Sequence, residues 1–171
     1  MQELLDVYDE NKVKTNKVVD RQEGAIFQDG EFFLYSRCWI INSDKKILLT
    51  QRNLNKIHGG TWEPTGGCVR SGETSKQGII RELKEEIGVS LQEKDLTLIK
   101  TIKEIRKTRS CFRDIYLAKK DIKISDINFL DGEVINAKYV TINEFKNMRE
   151  KGEISQWLSL FEEEYYKIIK G

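Results

Sequence analysis

An α/β (α+β) fold is predicted for the 171-residue chain by three patterns: paired runs rich in β-branched and aromatic residues, one amphipathic helix with an acidic face, and helical periods near the C-terminus. The opening LLDVYDENKVKTNKVVDR reads as a short strand, a polar turn and a second strand, with a loop running on to Asp29-Gly30. Residues 1–30 therefore form an N-terminal β-hairpin extension. FFLYSRCWIIN and KKILLTQR, separated by the Ser43-Asp44 turn, are two strands of a second hairpin. Thr61–Val69 leads into a glycine-bearing loop and a helix that starts after the hydroxyls of Thr74-Ser75 and stops at Gly88. LTLIKTIKEIRKT and CFRDIYLAKK form a further antiparallel pair, and VINAKYVTI is the last strand. Helices are expected over Asn143–Glu150 and Ile154–Ile169. In the second of these Trp157, Phe161, Tyr165 and Ile168 recur at helical spacing, as a core or dimer face.

Length and composition fit one domain over residues 1–171, since 39% hydrophobic content suffices for a single core and no linker divides the chain. With 29 basic and 28 acidic residues the net charge is +1, which gives no electrostatic case for nonspecific nucleic-acid or membrane binding. No apolar run reaches the length of a membrane span, and the start MQELLDVYDENK lacks the apolar stretch of a signal peptide. The three cysteines, Cys38, Cys68 and Cys111, are widely spaced and contain no Cys-x-x-Cys pair, so a reducing cytoplasm is expected.

The chemistry concentrates in the helix. Glu82, Glu85 and Glu86 stand at i, i+3 and i+4 and share a helix face. With Ile80 at zero on a helical wheel, Leu83 and Ile87 fall at roughly 300° and 340°, an apolar stripe. Glu85, Glu82 and Glu86 fall at about 140°, 200° and 240°, which predicts that they point outward, away from the core. Taken alone, three glutamates are read first as a solvated acidic face. The flanking Gly67, Glu73, Arg81 and Gly88 at fixed spacing turn the reading toward a cation site. Oxygen-only ligands suit a hard divalent ion, Mg²⁺ or Mn²⁺. The planar fork of Arg81 is suited to fixing a carboxylate, and Gly66-Gly67 let main chain approach closely.

The segment Gly67–Val89 resembles the signature of the Nudix hydrolases: G, five residues, E, seven residues, then R-E-U-x-E-E-x-G-U, where Leu83 and Val89 fill the aliphatic U positions. The resemblance implies an α/β/α sandwich around a mixed sheet. It also implies Mg²⁺- or Mn²⁺-dependent hydrolysis of a nucleoside diphosphate linked to another moiety. By position it makes Glu82, Glu85 and Glu86 the metal ligands, with the Gly67 carbonyl as a further candidate. Arg81 would orient the carboxylates, and Glu73 would support the loop-helix arrangement or help position water; family members differ in which glutamate is the general base, and Glu82 is one candidate. Glu133, ahead of the last strand, occupies a region where the family often carries an additional ligand or base; a plain turn glutamate is the equal alternative. The partner implied is a small-molecule diphosphate, and a homodimer is expected by analogy.

Gln51-Arg52-Asn53 and the preceding hairpins also resemble the branch that includes isopentenyl diphosphate isomerase, whose members isomerise their substrate. That site resembles a cluster of histidines with a cysteine before the loop. This chain has one histidine, His58, with Gly66 at the cysteine position and Cys68 two residues later. Isomerisation is therefore the lesser alternative. A noncatalytic nucleotide sensor is opposed by the complete signature, and an RNA-end pyrophosphohydrolase by the lack of basic surplus. His58 is expected to be an ordinary loop residue, Trp62 a packing residue, and Cys68 a small buried residue. Arg37, Arg52, Lys103 and Arg106 are candidates for phosphate contacts, their faces left open by the sequence.

Overall fold

Residues 3–21, 27–107, 109–155 and 158 are described by a computed structural model of the chain. The elements, in chain order, are β1 (Leu4–Tyr8), β2 (Lys14–Asp20), β3 (Phe33–Ile41), β4 (Ile47–Arg52), β5 (Trp62–Glu63), β6 (Gly66–Cys68), α1 (Ser75–Ile87), β7 (Thr97–Glu104), β8 (Cys111–Lys119), β9 (Val134–Val140) and α2 (Ile142–Glu150). β1 and β2 form a separate two-stranded sheet. The remaining strands hydrogen-bond in the order β5-β4-β3-β8-β7, with β6 also on β3 and β9 on β4. The expected α+β class is therefore observed. The described residues divide into two compact units: the first takes those within the ranges Met1–Cys38, Gly66–Lys84 and Ser90–Ala118, the second those within Trp39–Thr65, Glu85–Val89 and Lys119–Gly171.

In the first unit the β1-β2 hairpin is antiparallel, with Leu5 opposite Val19 and Asp6 opposite Val18. Its turn is held by the Asp9 carboxylate, which accepts from the amides of Asn11 and Val13 at 2.9 and 2.8 Å. Strand alternation sends Leu5 and Val7 into a cluster with Phe27, Phe33, Cys68 and Cys111. β6 pairs with β3 through Tyr35–Cys68, Ser36–Gly67 and Arg37–Gly66. β7 and β8 pair antiparallel from Thr97–Leu117 to Glu104–Cys111. β8 is buried at every position but the last, whereas β7 lies at the sheet edge and carries Lys100 and Lys103, a charged edge of the kind that discourages further strand pairing.

In the second unit β4 lies between β5 and β9, antiparallel to both, in register Ile47–Val140 through Thr50–Ala137 with β9. α2 is capped by a reciprocal pair: the Thr141 hydroxyl accepts from the Glu144 amide at 3.2 Å, and the Glu144 carboxylate accepts from the Thr141 amide at 2.7 Å. Its Phe145 meets Trp39 edge-on, with ring centroids 5.9 Å apart. The helix expected over Ile154–Ile169, with Trp157, Phe161, Tyr165 and Ile168, lies outside the described residues except at its start. Ile154 there forms a parallel bridge with Trp62. No helix among the described residues is long and apolar enough to cross a membrane.

α1 follows the expected bounds. Thr74 caps it: its hydroxyl accepts from the Gln77 amide at 3.2 Å, while the Gln77 side chain accepts from the Thr74 amide at 3.0 Å. Gly88 ends it with φ +71°, a left-handed stop. The helix phase departs from expectation. The fully buried residues are Ile79, Leu83 and Ile87, not Ile80. This centres the stripe near 300° on the wheel, and Glu86 at about 240° falls on its edge. Glu86 is accordingly only 6% exposed, and the expected outward-facing acidic surface is corrected to a covered one. On the flank away from that stripe, Gly78 packs against Val69, to which an added Cβ would approach within 3.1 Å.

Candidate active site

The site is built from the loop that follows β6. Gly67 sits opposite Ser36 in the β3-β6 pairing. Its lack of a side chain is required there, because a Cβ at 67 would lie 2.2 Å from the carboxyl carbon of Glu82. Main chain and carboxylate are thus packed directly together. After Val69 the chain turns through Arg70-Ser71-Gly72-Glu73, with Gly72 at φ +86°. The turn closes when the Glu73 amide donates to the Arg70 carbonyl at 3.0 Å and the Arg70 amide donates to Glu73 Oε2 at 3.0 Å.

Arg81 joins this loop to α1. Its Nε donates to Glu73 Oε1 at 2.8 Å and its Nη2 to Glu73 Oε2 at 3.1 Å, a bidentate pairing. Nη1 donates to Glu82 Oε1 at 2.8 Å, and Nη2 also donates to the Cys68 carbonyl at 2.9 Å. One guanidinium therefore holds the loop at two points and turns the Glu82 carboxylate. Burial works against the charged form of Glu73, but the Arg81 pairing and the Arg70 amide outweigh it and hold the carboxyl below the usual range. Burial likewise opposes the charge of Arg81, and its bonds to Glu73 and the charge of Glu82 more than offset it, so the guanidinium stays protonated.

Within the first unit, then, Gly67, Glu73, Arg81 and Glu82 come together. The Glu82 side chain is 13% exposed. In the second unit Glu85 is half-buried and Glu86 buried. Glu133 is ion-paired with Lys56, and its amide donates to Asp131 Oδ1 at 2.8 Å. Desolvation, then the charges of Glu133 and Glu85, hold the carboxyl of the exposed Asp131 above its ordinary value. Asp131 carries no signal in the sequence pattern, yet it brings Glu133 and Glu85 into one electrostatic neighbourhood. Among the described residues, no three acidic, histidine or cysteine side chains converge closely enough to hold a metal ion as they stand. The donors themselves are all oxygens, and the Gly67 main chain lies against the Glu82 carboxylate, a donor set that fits a hard divalent cation.

The other candidates resolve individually. His58 lies in an exposed loop at φ +59°, and its carbonyl accepts from the Thr61 hydroxyl at 2.8 Å. Trp62 is buried, with the Lys138 ammonium 4.1 Å from its ring centroid, a packing role. Cys68 is buried, and burial pushes its thiol up to about 11, which disfavours the thiolate. Arg52 pairs with Glu63 at 2.8 Å, Arg106 with Glu104, and Lys103 donates to the Glu10 carbonyl at 2.8 Å. Arg37 is 1% exposed and lies beside Tyr35, with its guanidinium carbon 5.6 Å from the ring centroid.

The sequence pattern did not reveal Asp6, which is 4% exposed on β1 and bonds to the loop. Its Oδ1 accepts from the Ser71 hydroxyl at 2.7 Å, and its Oδ2 from the Gly72 amide at 3.0 Å. Strand alternation separates it from Leu5 and Val7, but nothing in the sequence says what lies on its face.

The NUDIX domain model matches residues 34–160. The chain is 29% identical over 160 residues to an uncharacterized Nudix hydrolase of Listeria monocytogenes, covering 92% of this chain and 91% of that protein. A crystal structure from Deinococcus radiodurans superposes with a TM-score of 0.72 at 20% identity, over 90% of this chain and 92% of that one. A bifunctional NMN adenylyltransferase/ADP ribose pyrophosphatase from Francisella tularensis, complexed with AMP and a manganese ion, superposes with a TM-score of 0.64 at 22% identity, over 87% of this chain and 43% of that one. On these matches, and on a signature built into one loop and one helix, the chain belongs to the Nudix hydrolase family and is an enzyme of the pyrophosphohydrolase type.

Proposed function

We propose that the chain, working as a single Nudix domain, cleaves the pyrophosphate linkage of a nucleoside diphosphate joined to another moiety, with Mg²⁺ or Mn²⁺ as cofactor. The observation that carries this is the Arg81 junction, which ties Glu73 of the loop to Glu82 of α1 beside the bare main chain of Gly67. Glu82, Glu85, Glu86 and the Gly67 carbonyl would hold the ion. When bound, it offsets the diphosphate charge and makes a coordinated water more acidic.

The protein residues do the positioning. Arg81 fixes the Glu82 carboxylate in one orientation, and Glu73 keeps the loop closed on it. Glu82 is proposed to take the proton from the attacking water; Glu133, which Lys56 holds through their ion pair, is the alternative base. Charge stabilisation and positioning then account for most of the rate, as is general for phosphoryl chemistry. The Francisella relative, with AMP and manganese in its complex, supports a nucleotide-linked substrate and a divalent ion of this hardness. The single histidine, in an exposed loop, gives isomerisation no support. Three buried cysteines without disulfides are consistent with a reducing, cytoplasmic setting.

The test is a panel of ADP-ribose, dinucleotides, nucleoside triphosphates, CoA and isopentenyl diphosphate, assayed for cleavage with Mg²⁺ or Mn²⁺. At least one linked nucleoside diphosphate should be hydrolysed. Glu85→Gln should lose most of that activity with its melting temperature retained, because it removes an anionic oxygen from a half-buried helix position. Wild-type turnover by that variant would remove Glu85 from the ligand set.

A further inference from the structure

We propose that Asp6, on the N-terminal hairpin, is a positioning residue for the metal-dependent reaction, holding the signature loop so that Gly67 and Glu73 stay aligned with Glu82 and Arg81. This rests on the hydrolase reading above and extends it to residues outside the matched domain, which begins at residue 34.

Four contacts tie the hairpin to the loop or neutralise the tie. Asp6 accepts from the Ser71 hydroxyl at 2.7 Å and from the Gly72 amide at 3.0 Å. The Ser71 amide donates to the Leu4 carbonyl at 2.7 Å. Lys14, on the partner strand, pairs with Asp6 at 2.6 Å. Ser71 and Gly72 lie between Gly67 and Glu73, so whatever fixes them fixes the spacing of the two residues that meet Glu82 and Arg81.

Anchoring of the hairpin does not require this carboxylate. Leu5 and Val7, both fully buried, already secure β1 to the core from the opposite face of the strand. A buried carboxylate destabilises the fold unless its oxygens are bonded. The bonds it finds here are those of the loop turn and Lys14. The register shift between Asp6 and Tyr8 is a local irregularity of the kind that re-aims side chains, and Lys14 stands directly opposite Tyr8 beyond it. The Gly72 amide is aimed by its left-handed φ of +86°, which few other residues adopt without strain. The arrangement acts as a brace: it orients the loop without touching substrate.

The test compares wild type with Asp6→Asn and with Thr15→Ala. Among the described residues Thr15 bonds within the same hairpin, its hydroxyl donating to the Val7 carbonyl at 2.9 Å, and it serves as the control for general loosening of the hairpin. Mn²⁺ titration by electron paramagnetic resonance, amide hydrogen exchange of the apoprotein at Gly72, and melting temperature are measured on each. Asp6→Asn should weaken Mn²⁺ binding about tenfold, the effect typical of residues that orient ligands, and should speed exchange at Gly72. Thr15→Ala should leave both at wild-type values even where its melting temperature falls.

If Asp6→Asn does not fold, Ser71→Ala removes one of the same bonds from the loop side and should shift both readouts in the same direction. Wild-type Mn²⁺ affinity in the folded Asp6 variant, or in Ser71→Ala where only that one folds, would overturn the inference. So would an equal shift in Thr15→Ala. Absence of saturable Mn²⁺ binding in the wild-type protein would instead overturn the hydrolase reading on which it rests.

Discussion

Gly67 illustrates how one atom can decide a site. An alanine there would drive its Cβ to 2.2 Å from the Glu82 carboxyl carbon, so either the loop or the glutamate must move. Displacements of about 1 Å in a catalytic arrangement cost on the order of a hundredfold in rate. Gly67→Ala is therefore expected to lose roughly that factor in kcat/KM, by the same reasoning, while its circular dichroism stays that of the wild type. Near-normal turnover by the variant would show that the Gly67–Glu82 contact is not part of the working geometry. Arg81 is the complementary case. Its fork serves Glu73, Glu82 and the Cys68 carbonyl together, a task beyond the single ammonium of lysine.

Helix α1 shows what a wheel can and cannot settle. Its start, its end and its three glutamates are legible in the sequence, because caps and the terminal glycine are local signals. Its rotation is not, because two adjacent isoleucines are equivalent on a wheel until packing selects one. Packing selects Ile79, and Glu86 is carried under cover with it. β5 and β6, of two and three residues, are legible only as a lead-in to the loop; they are too short to show a period. The long hairpins β1-β2, β3-β4 and β7-β8 are readable throughout from their polar turns. Gly88 offers a test at this scale. Its φ is +71°, and a Cβ added there would stand 3.4 Å from Asn128 Cβ. Gly88→Ala should therefore destabilise the protein by about 1 kcal/mol in urea denaturation. An unchanged midpoint would mean that α1 does not depend on its left-handed stop.

For the molecule as a whole, the signature is legible because it is local: loop, clamp and proposed ligands fall within 23 consecutive residues. What lies beyond reach are the long-range partners, since Asp6 meets Gly72 across 66 positions and Lys56 meets Glu133 across 77. Neither pairing has a periodic or compositional signature, and both adjoin residues proposed to act in the reaction. The near balance of 29 basic and 28 acidic residues likewise leaves local arrangement, not overall charge, to govern what the site takes up. The carboxylates of α1 are proposed to gather a hard divalent ion. Mn²⁺ titration of wild type against Glu82→Gln tests this most directly. Saturable binding that weakens about tenfold or more in the variant is the predicted result; equal affinity in both proteins, or none in either, would contradict the account.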